Sequence, residues 1–207
     1  MAEAMLFAAA EPLDEATLAA RLPEGADVPA VLAQLASDYA ERGVGLVHTG
    51  AGWSFRTAAD LAPLLRREAV ERRKLSRVAL ETLAIIAYHQ PVTRAEIEAI
   101  RGVSVARGTL ELLLETGWIR LRGRRKAPGR PVTFGTTPAF LDHFGLEAVS
   151  DLPGMAELKS AGLLDGRLPL DVTVPTPSDD AALAPDEDPL EDGAALDLLT
   201  PLDPGEG

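Results

Sequence analysis

Apolar positions in the first sixty residues follow helical spacing three times and alternate once. Met5 to Ala10 is a continuous apolar stretch that stops at the Glu11-Pro12 turn. Asp14 then stands as an N-cap ahead of Leu18 and Leu22, which repeat on one helical face. In VPAVLAQLASDYAERG, Val31, Leu32, Leu35 and Tyr39 form one stripe after Pro29, and Gly43 is placed to end the helix. VGLVHTG and GWSFRT follow as short β-prone runs around a Gly-Ala-Gly turn, which predicts a hairpin.

The same order returns downstream. SRVALETLAIIAYHQ predicts an apolar helix that Pro91 stops, and Thr93 caps TRAEIEAIRG with Glu96 three residues on, the spacing of a capping box. Gly102 closes that helix. Ser104 then opens SVARGTLELLLETG, with Leu110, Leu113 and Leu114 inward, and Gly117 ends it before the hairpin WIRLRGRR, KAPGR, PVTFGTT. A short helix, PAFLDHFGL, is expected to pack behind this hairpin. Sliding the first segment by 79 positions lays Pro12-Leu13 on Pro91-Val92, Ala16 on Ala95 and Leu18 on Ile97. Helix, helix, helix, hairpin, read twice, predicts tandem winged-helix domains: a mainly α fold with small β hairpins, α+β in class. The expected boundaries are 1–60 for the N-terminal winged helix, 61–75 for a linker helix, 76–158 for the C-terminal winged helix and 159–207 for an acidic, Pro-rich, disordered tail.

Charge changes the picture because it comes in blocks. Of the 207 residues, 1–65 carry three basic and nine acidic side chains, 66–130 carry fifteen and seven, and 131–207 carry two and sixteen. A net charge of -12 therefore hides a basic middle. Within it, Arg120, Arg122, Arg124, Arg125, Lys126 and Arg130 sit on the second hairpin, and Arg66, Arg67, Arg72, Arg73, Lys74 and Arg77 on the linker. Both sets are candidates for nonspecific phosphate contact. The plainer reading is that hairpin-tip charges keep an edge strand from pairing with another chain. From Pro169 onward there are eleven acids and no Lys or Arg, and this tail is a candidate to cover the basic hairpin in cis.

Candidate chemistry adds little. The chain has no cysteine, and His48, His89 and His143 lie far apart without ligand spacing, so neither metal nor cofactor is expected. No phosphate-cradling, zinc-protease or nucleophile-elbow motif is present. Glu96 and Glu98 point to different sides of their helix, and His89 is better read as sitting at a helix C-terminus than as a base. No apolar run is long enough to cross a bilayer, and the expected setting is cytoplasmic. A DNA-reading third helix should expose cations or amides. Here one exposes Gln34, Ser37, Asp38 and Glu41, and the other aligns Arg107 with Glu111 and Glu115.

ALETLAIIAYHQPVTRAEIEAIRGV, GRRKAPGRPVTFGTTPAFLDHFGL and VSDLPGM resemble the second half of bacterial segregation and condensation protein B, and EAMLFAAAEPLDEATLA resembles that family's opening. His89 stands where a Lys is common there, and Phe134 where a Tyr is common. The resemblance implies a non-enzymatic homodimer joined through its N-terminal domains. It also implies that the chain binds the kleisin segregation and condensation protein A and, through it, an SMC ATPase, in chromosome condensation and segregation during cell division, associated with the nucleoid. By carry-over, Glu96, Ile97 and Arg101 belong to the kleisin-binding region, and Gly123, Gly129 and Pro131 to a structural hairpin motif. DNA contact is expected to be at most weak and nonspecific. The competing reading is a DNA-binding transcriptional regulator that uses the basic hairpin at 120–130.

Overall fold

Helices begin where the sequence supplies caps. In the computed structural model, which describes residues 1–61, 75–160 and 182–190, α1 spans Ala2–Ala8 and α2 spans Glu15–Arg21. The Asp14 carboxylate accepts the Thr17 N–H at 2.6 Å to open α2, and Asp27 accepts from Ala30 at 3.1 Å to open α3 (Val28–Tyr39). Gly43 is not the cap of α3; that helix ends through Ala40 in right-handed geometry, four residues before the start of β1 (Val44–Thr49). β1 pairs antiparallel with β2 (Gly52–Thr57), and Leu13 bridges to Trp53 beside them. Leu6, Leu18, Val28 and Leu32 make the core of this first unit, flanked by Leu13, Trp53 and Phe55.

The second unit rebuilds the pattern around α4 (Arg77–His89), β3 (Val92–Thr93), α5 (Arg94–Arg101), α6 (Arg107–Glu115), β4 (Ile119–Arg125) and β5 (Val132–Thr136). Thr93 and Glu96 form the expected capping box, and Gly102 closes α5 in left-handed geometry. The 79-residue offset is physical. It carries cap Asp14 onto cap Thr93 and buried Leu18 onto buried Ile97, and Leu13 against β2 has its counterpart in Val92 against Phe134 of β5. α6 begins at Arg107 after Ala106, without a side-chain cap, and not at Ser104.

Two segments depart from expectation. Residues 138–151, with α7 (Pro138–Phe144), belong to the first unit and not to the second hairpin's domain. There Asp142 accepts from Thr49 Oγ1 at 3.2 Å and pairs with Arg56 at 2.5 Å, while the Gly50 N–H donates to the Leu146 carbonyl at 2.9 Å. Among the described residues, the second unit comprises 76–137 with 152–160 and 182–190. It contains α8 (Met155–Ser160) and, inside the acidic segment expected to be disordered, a strand β6 (Glu187–Pro189). The sheet order is β3-β5-β4-β6, so β4 is not an edge. The expected linker helix at 61–75 lies almost wholly outside the described residues. The result is a mixed α/β protein with small antiparallel sheets.

Thr93→Ala removes the hydroxyl that accepts the Glu96 N–H and should cost about 1 to 2 kcal/mol. Urea unfolding followed by far-UV circular dichroism checks this; an unchanged midpoint would mean that the box does not help to hold the second unit.

Candidate interaction site

The basic hairpin is built by a bulge and a tight turn. β4 and β5 pair in register from Ile119 opposite Thr136 to Leu121 opposite Phe134, then shift so that Arg124 faces Val132. The shift breaks the simple alternation of Arg120 and Arg122 on one face against Ile119, Leu121 and Gly123 on the other. At the tip, Gly129 (φ 79) and Arg130 (φ 39) are both left-handed. Glycine meets that requirement without strain, and the arginine beside it does so at a cost of about 1 to 2 kcal/mol. The Pro131 carbonyl closes the turn by accepting the Arg125 N–H at 2.9 Å.

Four of the six candidate cations on this hairpin, Arg122, Arg125, Lys126 and Arg130, already have anionic partners, and Arg66 to Lys74 lie outside the described residues. Arg125 donates to the Pro91 carbonyl at 2.8 Å, to both Glu96 oxygens at 3.1 and 3.0 Å, and to Asp186 at 2.9 Å. Lys126 donates to the Pro185 carbonyl at 2.9 Å and lies 3.7 Å from Asp188, which also pairs with Arg130 at 3.2 Å. Arg122, its side chain buried, lies 3.6 Å from Glu187 and donates to the Ala182 carbonyl. Arg124 donates to the Arg130 carbonyl at 3.1 Å, and Arg120 contacts the Thr136 carbonyl at 3.4 Å. The field of this hairpin is thus met by Asp186, Glu187 and Asp188 from its own chain.

Glu187 is the centre of the cluster. Its carboxylate is buried, accepts from Thr133 Oγ1 at 2.5 Å and from the Ala184 N–H at 2.8 Å, and faces Arg122. An anion can be buried only when donors surround it in this way. Sequence reasoning missed Thr133 and strand β6. The signal available was three consecutive acids between prolines, set against a basic strand.

The residues assigned to kleisin binding by resemblance have structural work within the second unit. Ile97 is wholly buried, so its side chain cannot meet a partner. Glu96 caps α5 and pairs with Arg125. Burial acts to raise its carboxyl, but hydrogen bonds from Thr93 and the Arg125 guanidinium outweigh that and hold it below the usual range. Burial likewise acts against the Arg125 charge, and pairing with Glu96 and Asp186 outweighs it, so its pKa is raised. Arg101 donates to the Ser104 carbonyl at 3.3 Å and to Glu81 at 3.4 Å. The apolar side chains exposed nearby in sequence are Ile100, Val103 and Leu112.

On α6, Arg107 is tied to Glu111 at 2.8 Å, which cancels the cation on that stripe. Glu98 accepts from Arg94 and from the Val105 N–H. Burial lowers the pKa of His89, which opposes the charged C-terminal role expected from the helix dipole. Among the described residues there is no group of three potential metal ligands, and no helix is long and apolar enough to cross a membrane.

The described residues thus form two helix-and-hairpin units, the second with a basic hairpin flanked by an acidic strand. The family model for the segregation and condensation complex subunit ScpB matches residues 1–155. The chain belongs to that family. It is 46% identical over 167 residues to segregation and condensation protein B of Desulforamulus reducens, covering 77% of this chain and 90% of that one. To the segregation and condensation protein B homolog of Coxiella burnetii it is 40% identical over 162 residues, covering 75% and 78%. The crystal structure of ScpB from Mycobacterium tuberculosis is 41% identical, covers 70% of this chain and 92% of that one, and has a TM-score of 0.34.

Arg125→Gln should lower the stability of the second unit by about 1 to 3 kcal/mol, because it strips charged hydrogen bonds from Glu96 and the Pro91 carbonyl. Glu96 has a folded pKa below its unfolded value, so its share of this stability is present above the ordinary carboxylate pKa of about 4.3. That share is lost as pH falls through the depressed folded value. The gap in urea midpoint between wild type and variant should therefore be wide at pH 7 and narrow at the acid end; a pH-independent gap would exclude the pairing.

Proposed function

We propose that this protein is a non-enzymatic accessory subunit of a bacterial SMC-kleisin complex, acting in chromosome condensation and segregation. Each unit is a winged helix. Two copies associate through the first unit, and the second unit grips a segment of the kleisin segregation and condensation protein A, which links the complex to the SMC ATPase. Its setting is the cytoplasm, at the nucleoid. The family match over 155 residues carries this reading.

The side chains support a protein ligand over DNA. A groove-reading helix needs cations or amides that reach base edges, and the Arg107 guanidinium of α6 is held by Glu111. Ile100, Val103 and Leu112, each at least 40% exposed, offer apolar anchors of the kind an amphipathic helix of a partner uses. In the first unit, Phe7 is 83% exposed and lines with Val44 a groove of about 470 Å³, which suits self-association. The transcriptional-regulator reading has no comparable observation behind it.

Mixed with the kleisin of the same genome at micromolar concentration, the chain should co-elute from a size-exclusion column as a complex. Glu in place of Ile100 or Val103 should weaken that complex at least about tenfold without lowering the melting temperature, since neither side chain is in the core. No complex with wild type, together with tight sequence-specific DNA binding, would overturn the reading.

A further inference from the structure

We propose that the outer edge of β4 is a docking site for an extended acidic strand, that residues 182–190 of the chain itself occupy it, and that the docked strand withholds the basic hairpin from nucleic-acid phosphate. Three independent features of the second unit carry this. The first is the ladder: β6 pairs antiparallel with β4, Arg124 opposite Asp188 and Arg125 opposite Glu187, and the Lys126 N–H donates to the Asp186 carbonyl at 2.7 Å. The second is the built socket for Glu187, made by Thr133 Oγ1, the Ala184 N–H and Arg122. The third is Gly123.

A glycine inside a strand weakens it unless another backbone comes close. A Cβ at Gly123 would lie 2.6 Å from the Asp188 carbonyl oxygen and 2.9 Å from Leu183 Cδ2, so the missing side chain makes room for the acidic segment. Pro189 ends the strand opposite Gly123, at a place where no N–H is needed from it. The strand's identity follows from charge. An arginine-rich edge repels most incoming strands and accepts one that brings Asp186, Glu187 and Asp188 to Arg122, Arg125, Lys126 and Arg130. The same cations would bind phosphate, so strand and phosphodiester compete, and tethering gives the strand a high effective concentration.

The test uses full-length chains and a fluorescein-labelled, mixed-sequence 25-base-pair DNA duplex titrated at several salt concentrations. Asp186→Asn, Glu187→Gln and Asp188→Asn together should raise affinity at low salt about tenfold and steepen the log-log salt slope by about 2 to 3, near 0.9 for each cation gained by the DNA. Gly123→Ala leaves every charge in place and should reproduce the rise by forcing the strand off. Asp179→Asn, Asp180→Asn and Glu191→Gln remove as much negative charge elsewhere in the acidic region and should leave affinity unchanged. The proposal is overturned if the first two variants bind like wild type. It is equally overturned if the third matches the first, since bulk charge would then be the cause.

Discussion

The enclosed carboxylate of Glu187 sets the terms for the basic hairpin. Its two oxygens are held by a hydroxyl on β5, a backbone N–H of its own segment and the guanidinium of Arg122 on β4. A buried anion without those donors would be strongly disfavoured, and a buried arginine without an anion likewise. Each group therefore requires the other. Their meeting makes β4 an interior strand, aligns Asp186 and Asp188 with Arg125, Lys126 and Arg130, and leaves the outermost position in the sheet to an acidic segment.

That constraint reaches α5 through one side chain. Arg125 spans Asp186 on one side and Glu96 on the other, and Glu96 is the residue that completes the capping box with Thr93. Start of helix, end of β4 and docked strand thus share a hydrogen-bonded path. Glu96 on this path, and Arg101 through Ser104 and Glu81, have their polar groups engaged within the second unit. The apolar side chains left exposed on α5 and α6 include Ile100 and Leu112.

Much of this fold was legible in the residues. Caps at Asp14 and Thr93, buried Leu18 and Ile97 at the same offset, and both hairpins follow from local spacing that tertiary packing reinforces. The resemblance placed Ile97 in a partner-binding region, whereas the structure buries it at the position equivalent to Leu18. The placement of 138–151 was not legible, because PAFLDHFGL has an apolar face that either unit would accept. The hydrogen bond and ion pair of Asp142 with Thr49 and Arg56 accompany its membership in the first. Strand β6 was missed for a different reason. Acidic, proline-rich composition signals too little apolar burial to fold alone, and a strand added to an existing edge draws instead on backbone hydrogen bonds and opposite charge.

The most direct measurement is whether β6 sits on β4 in the stated register in solution. The chain has no cysteine, so a pair can be introduced without background. Arg124→Cys with Asp188→Cys places two thiols on directly opposed residues, within reach of a disulfide, whereas Arg124→Cys with Pro189→Cys places them on opposite faces of the sheet. Under mild oxidation the first chain should close an intramolecular disulfide in high yield and the second should stay reduced. Equal yields from the two chains, or none from the first, would contradict the account.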